Sequence, residues 1–133
     1  MSFSLKVCPP VGNDELNALF ASAWPDHRQT DFRPILEHAL VYVCAYDGER
    51  LVGFAKVVGD GGVHDFFLDP TVAGEWQRKG IGRQLVNACA EQARQRGVEW
   101  FHVDYATHLR GFYEGCGFSP SEAGLRNLVN EKA

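Results

Sequence analysis

A glycine-containing turn between a predicted strand and a predicted helix is the most chemically informative part of this sequence. Residues 72–86 read Val-Ala-Gly-Glu-Trp-Gln-Arg-Lys-Gly-Ile-Gly-Arg-Gln-Leu-Val. The first N–H groups of a helix have no intrahelical acceptor and lie at the positive end of the helix dipole. Such a junction suits an anionic group such as a pyrophosphate. We therefore expect a ligand that contains phosphate at this turn.

The turn differs from the better-known phosphate-binding loops. No G-x-x-x-x-G-K-[ST] segment occurs, and Leu85 stands where a G-x-G-x-x-G pattern beginning at Gly80 needs its third glycine. ATP and NAD are therefore poorly supported as ligands. On spacing alone, a purely structural turn is the alternative.

Hydrophobic patterns predict the elements that position this turn. Asp47-Gly48 predicts a hairpin. Pro70 lies within the fourth predicted strand and has no N–H for a ladder, so we expect a bulge or a lost neighbour there. The order of elements predicts one mixed α/β or α+β domain, residues 1–133. Strands are expected at 3–8, 41–46, 51–58, 63–72 and 98–105, helices at 13–23, 31–39, 82–96 and 109–116, and two short closing strands within 118–129.

Composition and charge exclude several classes of partner. The formal net charge is −4, from 13 Lys and Arg against 17 Asp and Glu, whereas nucleic-acid binding normally requires a basic surface. The four cysteines form no C-x-x-C pair, which argues against a zinc knuckle or redox motif and favours a reducing compartment. No apolar run approaches the roughly 18 residues of a membrane span, and the first seven residues are too polar for a signal peptide. We expect a cytoplasmic protein with no nucleic-acid, membrane or metal partner.

Two segments resemble signatures of the GNAT superfamily of N-acetyltransferases. Residues 77–82, Gln-Arg-Lys-Gly-Ile-Gly, fit the pattern [Gln/Arg]-x-x-Gly-x-[Gly/Ala]. Residues 112–118, Phe-Tyr-Glu-Gly-Cys-Gly-Phe, look like the F-Y-x-x-x-G-F segment that follows the family's fifth strand. The resemblance covers nearly the whole chain. It implies an α+β (mixed α/β), GNAT-like fold: a mostly antiparallel sheet of six to seven strands with about four helices, splayed between strands four and five.

The resemblance also implies a reaction and a cofactor. An acetyl group would pass from acetyl-CoA to a primary amine of a small molecule or peptide, by direct attack in a ternary complex. The coenzyme A pyrophosphate would bind backbone N–H groups of the turn, and pantetheine would pair with the end of strand four. A homodimer is compatible with the resemblance. The implied cofactor-binding residues are Val72, Gln77, Arg78, Lys79, Gly80, Ile81, Gly82 and Arg83.

Catalytic roles are implied for the second motif and for strand four. Tyr113 matches the family's usual proton donor to the departing thiolate; a phenol pKa of about 10 and a thiol pKa of about 8.5 allow that transfer in a dry site. Asp65 is our choice as the general base. Pro70 lies near the place where a backbone N–H usually polarises the acetyl carbonyl, so a neighbouring amide or a side chain must replace it, or the enzyme is slow. Other candidates for the base are His64, Asp69, His102 and Asp104.

Two other functions stay open. A catalytically weak acyl-CoA-binding or regulatory module would have the same fold; Pro70 favours it and Tyr113 favours the enzyme. A metal-assisted hydrolase would use the scattered histidines. The acceptor is expected to contact the link at 24–31 and the segment at 120–128, and small amines, amino acids, aminoglycosides and protein amino groups all fit.

Overall fold

A computed structural model describes residues 2–131 and contains one five-stranded sheet. The strands follow the chain in the order β1-β2-β3-β4-β5; all neighbours are antiparallel except the parallel pair β4 and β5. The strands are β1 (Ser4–Val7), β2 (Val41–Asp47), β3 (Arg50–Gly59), β4 (His64–Val72) and β5 (Trp100–His102). The helices are α1 (Asn13–Ala23), α2 (Arg33–His38), α3 (Ile81–Gln95) and α4 (Arg110–Gly115), with 3-10 helices at Gly74–Trp76 and Thr107–Leu109.

The chain divides into two compact units, Met1–Val103 and Asp104–Ala133. The first unit holds the sheet and helices α1, α2 and α3, and the second holds α4. No helix within residues 2–131 is long and apolar enough to cross a membrane.

Helix α3 is the element that the sequence pattern specifies most clearly, because its apolar stripe matches the helical period. Ile81, Leu85, Cys89 and Ala93 are all buried, as the spacing predicts. The helix begins at Ile81, one residue before the predicted start, and the chain leaves it at Gly97, whose φ of 80° is typical of a helix end.

The two faces of the sheet are covered by different helices. A Cβ at Gly53 of β3 would contact Ile81 and Leu85, so the face that carries Gly53 packs against α3. We call it the α3 face. Phe54, the next residue, packs against Phe20 of α1 with ring centroids 6.0 Å apart, so the opposite face is the α1 face.

Some predicted elements differ from the structure. The sheet has five strands, so the expectation of six to seven is wrong for the residues described. Residues 118–129 form no strand; Pro120, Gly124 and a run of exposed polar residues give this segment no alternating apolar side to bury. Phe66 of β4 is 41% exposed, so the apolar run at 66–68 is not buried on both faces of the sheet.

Candidate active site

The turn between β4 and α3 has the backbone conformation of an anion-binding concavity. After the 3-10 helix at Gly74–Trp76, Arg78 and Gly80 both adopt positive φ, 63° and 91°. Gly80 is the N-cap of α3. A left-handed residue next to a helix start turns successive N–H groups toward one side of the chain. The predicted strand, turn and helix are therefore present in this order.

The N–H groups of this turn have no protein acceptor. Within residues 2–131, none of the six from Arg78 to Arg83 donates a hydrogen bond to the protein; the first donor after them is Gln84, bonded to the Gly80 carbonyl at 3.2 Å. These six groups lie at the N-terminus of a 15-residue helix. The helix dipole adds to their attraction for an anion.

The charged side chains around the turn favour an anion as well. Arg78, Lys79 and Arg83 are exposed, and none forms a salt bridge within the described part of the chain. Glu75 is the single acidic residue between positions 74 and 83, and it pairs with Arg50 of β3. Three cations are thus left without an acidic neighbour beside the free N–H groups.

Strand β4 has an open edge next to this turn. Strand β5 pairs with β4 only over His64–Phe66, so within the described residues the edge from Phe67 to Val72 has no strand partner on that side. Ala73 N–H donates to Val52 of β3, so the N–H and C=O of Val72 point toward the open edge. Gln77 donates from Nε2 to the Val72 carbonyl at 3.2 Å. The pairing of β4 with β5 ends at Phe66 and His102, in agreement with the predicted splay between strands four and five.

Ile81 and Gly82 occupy the first turn of α3. Ile81 is 1% exposed and packs into the space above Gly53, so it anchors the turn to the sheet. Gly82 is half-buried, and its φ is not in the positive region. Ile81 thus supplies an N–H and a packing contact at the same position.

A bulge interrupts β4 where the sequence predicts it. Phe54 pairs with Thr71 and Lys56 with Leu68, so Asp69 and Pro70 together oppose a single residue of β3. Asp69 has a φ of 56°, the left-handed conformation of the first residue in one common bulge type. The bulge shifts the alternation by one, which puts Leu68 and Thr71 on the α1 face.

Thr71 holds the bulge in place from the α1 face. Its hydroxyl donates to the Asp69 carbonyl at 3.1 Å and accepts from the Trp24 indole N–H at 3.2 Å. Thr71 is buried, and Trp24 is the C-cap of α1. The end of α1 is thereby tied to the irregular part of β4.

The surroundings of Asp65 do not support its predicted role as the general base. Its side chain is on the α3 face, 2% exposed, and forms an ion pair with Arg96 at the end of α3. A Cβ at Gly59 would lie 2.0 Å from Asp65 Oδ1, so the carboxylate also fills the space above that glycine. Asp65 therefore joins β4 to α3, and it lies in the part of β4 that is paired with β5.

The histidines form a pair rather than a metal cluster. His64 Nδ1 and His102 Nε2 are 2.8 Å apart, and His102 stacks on Phe66 with ring centroids 4.3 Å apart. Within residues 2–131 no group of three or more His, Cys, Asp or Glu side chains is placed to hold a metal ion. The described residues therefore offer no ligand cluster for the hypothesis of a metal-assisted hydrolase.

In the second unit, Tyr113 lies in an aromatic cluster. It is 5% exposed, stacks with Tyr105 at 4.9 Å between centroids, and meets Phe112 and Phe118 edge to face. Burial raises the pKa of Tyr113 above its ordinary value, and the charges of Cys116 and Asp104 raise it further. The phenol is therefore held in its protonated form at neutral pH.

Two residues of this region were not predicted from the sequence. Lys56 of β3 lies on the α1 face, with Nζ 3.1 Å from Asp69 Oδ2. Asn17 of α1 is 5% exposed and binds the loop at 27–30. The presence of a lysine in the otherwise apolar strand Leu51–Val58 could have identified Lys56 from the sequence. No comparable pattern identifies Asn17.

Comparison with protein families gives a match over most of the chain. Residues 12–118 match the model of the acetyltransferase (GNAT) family. A curated relative, GCN5-related N-acetyltransferase 1, chloroplastic, from Arabidopsis thaliana, is 28% identical over 119 residues. The alignment covers 87% of this chain and 60% of the relative, so the chain spans less than two thirds of that protein.

Solved structures have the same fold. The acetyltransferase (GNAT family) protein of Streptococcus pneumoniae has a TM-score of 0.78 and 24% identity, over 98% of this chain and all of the other. Aminoglycoside N-acetyltransferase AAC(6')-Iy, solved in complex with CoA, has a TM-score of 0.77 and 15% identity, over 95% of this chain and 93% of the other. At these identities the similarity concerns the fold.

Proposed function

This chain belongs to the acetyltransferase (GNAT) family, and from that premise we propose that it transfers an acetyl group from acetyl-CoA to a primary amine, by direct attack in a ternary complex. The family is the one that the two sequence motifs indicate. The observation that carries the proposal is the run of six N–H groups without a protein acceptor, Arg78 to Arg83, beside the open edge of β4.

Acetyl-CoA fits these features as the acyl donor. Its pyrophosphate would accept hydrogen bonds from the free N–H groups, with Arg78, Lys79 and Arg83 adding positive charge. Its pantetheine amides would pair with the edge of β4 at Val72, as an added strand does. The complex of a protein with the same fold and CoA supports this assignment. We propose that residues 1–133 act together as one acetyltransferase domain.

The chemistry is acyl transfer from a thioester to nitrogen. The amine nitrogen attacks the carbonyl carbon, the C–S bond breaks, and the departing thiolate takes a proton from the Tyr113 phenol. The Tyr113 phenol carries its proton at neutral pH and can give it to the thiolate; burial raises its pKa, which keeps the phenol protonated but makes it a weaker acid. After the attack, the amine nitrogen carries one proton too many, and it gives this proton to a base. That base is a group other than Asp65, whose carboxylate is paired with Arg96.

The acceptor is proposed to be a small-molecule or peptide amine. The proposed compartment is the cytoplasm, although the Arabidopsis relative is named as chloroplastic. A homodimer is the proposed oligomeric state. A catalytically weak acyl-CoA-binding module is the second candidate function; Pro70, which lacks an N–H at the bulge, favours it.

Acetyl-CoA consumption across a panel of amines tests the proposed function. We expect turnover with at least one amine class, and a fall in kcat of about 10²–10⁴-fold in Tyr113→Phe with little change in the Kd of acetyl-CoA. Tyr105→Phe is the matched control, since it removes the hydroxyl of the ring stacked on Tyr113, and should keep its rate. Binding of acetyl-CoA without turnover of any amine would favour the binding module.

A further inference from the structure

The bulge in β4 leaves its open edge short of hydrogen-bond donors. Pro70 has no N–H. The Thr71 N–H points toward β3, on the same side as the Ala73 N–H that donates to Val52. A carbonyl lying beside the bulge therefore finds no donor in the backbone at either position.

Lys56 brings a cation to this part of the strand. It pairs in register with Leu68, the last residue before the bulge, and its side chain is only 12% exposed. Its ammonium lies 3.1 Å from Asp69 Oδ2, on the α1 face. An ammonium has three N–H donors, so this ion pair leaves two of them available.

The dimensions of the acyl donor place its thioester at the level of Lys56 along β4. Strand β4 ends at Val72, and the turn with the free N–H groups, Arg78 to Arg83, follows after the 3-10 helix at Gly74–Trp76. The two amides of pantetheine are separated by about the length of two strand residues. With the first amide at Val72, the second lies beside the bulge and the thioester beside Asp69 or Leu68, about 10 Å from Val72 at the strand rise of ~3.3 Å per residue.

We propose that Lys56 is a catalytic residue that donates a hydrogen bond to the thioester carbonyl of acetyl-CoA at the bulge of Asp69 and Pro70, where Pro70 supplies no backbone N–H. The inference rests on the proposed function. Asp69 is the positioning residue: its left-handed backbone and its carboxylate hold the ammonium beside the bulge.

The role of Lys56 is electrostatic: it forms no covalent bond and changes neither the reactants nor the products. When the amine nitrogen bonds to the carbonyl carbon, the C=O electron pair moves to oxygen, and Lys56 stabilises the resulting oxyanion. When the C–S bond breaks, the pair returns and re-forms the C=O bond, while the thiolate is protonated by Tyr113. A cation with little exposure to water stabilises an oxyanion more strongly than a solvated one does.

Infrared spectroscopy of the bound thioester tests the contact without an identified acceptor. With acetyl-CoA labelled with ¹³C at the carbonyl, we expect a lower C=O stretching frequency on the native protein than on Lys56→Met, and an intermediate value on Lys56→Arg. Lys6→Met, which removes an exposed lysine of β1, is the control and should match the native protein.

Kinetics give the second readout. With an acceptor from the amine panel, Lys56→Met should lower kcat by about 10²–10³-fold, the range for loss of one oxyanion donor, and change the Kd of acetyl-CoA by less than about threefold. Equal frequencies on native protein and Lys56→Met, with acetyl-CoA bound to both, would overturn this inference alone. Failure of the native protein to bind acetyl-CoA would overturn the proposed function and this inference together.

Discussion

The position of the turn at Arg78–Arg83 depends on the absence of a side chain at Gly53. A Cβ there would lie 2.8 Å from Ile81 Cγ2 and 3.1 Å from Ala45 Cβ. Ile81 is the first residue of α3, so the depth to which it packs on the sheet fixes where the free N–H groups lie. A residue outside the turn thus sets the geometry of the turn.

Gly53→Ala should therefore destabilise the protein. The added methyl overpacks a buried contact between α3 and the sheet, which typically costs about 1–3 kcal/mol. Chemical denaturation measures the loss. Gly124→Ala is the control, because a Cβ there meets nothing within 4 Å and should change stability by less than about 0.5 kcal/mol. Equal unfolding midpoints for the two variants would contradict the role given to Gly53.

Individual site residues were predicted unequally well, for physical reasons. The turn residues follow from a local pattern, since glycine and a helix start act through the backbone of the same segment. The role of Asp65 depends on Arg96, 31 positions further along the chain, and no local pattern reports that ion pair. Lys56 and Asp69 meet only because a bulge turns Asp69 toward β3.

At the scale of elements, one asparagine connects α1 to the loop that follows it. Asn17 Nδ2 donates to the carbonyls of Asn13 and Thr30, and its Oδ1 accepts from the Thr30 N–H and from His27 Nε2. Because an amide oxygen only accepts, His27 carries its proton on Nε2. The loop that the sequence suggests for acceptor contact is thereby held to α1.

Asn17→Ala should loosen this loop. The half-buried residues Thr30 and His27 would lose their hydrogen bonds to the buried Asn17 side chain, at a cost of about 0.5–1.5 kcal/mol for each bond. The Thr30 amide should then exchange with deuterium more than about tenfold faster. Asn87→Ala, on the exposed side of α3, is the control and should leave that amide unchanged. Unaltered exchange at Thr30 in Asn17→Ala would show that other contacts hold the loop.

Turns and bulges were predictable from the sequence where a single residue type restricts the backbone conformation. Pro70 lacks an N–H and predicts the bulge, and Asp47-Gly48 predicts the hairpin; both predictions are confirmed. The two closing strands were inferred from the length of chain that remained, and residues 118–129 lack the alternation that a strand needs. Length alone does not make a strand.

At the scale of the whole molecule, the order of elements and two motifs sufficed to predict the family. The match over residues 12–118 confirms it. The division into two compact units was not predicted, because no linker or change of composition marks the boundary at residue 103, which lies between the two motifs. Acceptor choice was not predictable either, since it depends on loop side chains that no backbone pattern specifies.

The central claim is that the N–H groups of Arg78 to Arg83 bind the pyrophosphate of acetyl-CoA. Calorimetric titration of Gly82→Trp with acetyl-CoA tests it most directly, because Gly82 lies within this run and its backbone needs no positive φ. Gly12→Trp, at the N-cap of α1, is the control: an added Cβ there meets nothing within 4 Å.

We predict that Gly82→Trp, with native circular dichroism, raises the Kd of acetyl-CoA by more than about tenfold, or about 1.4 kcal/mol. Gly12→Trp should bind as the native protein does. Native affinity in a folded Gly82→Trp variant would contradict the assignment of the pyrophosphate to this turn.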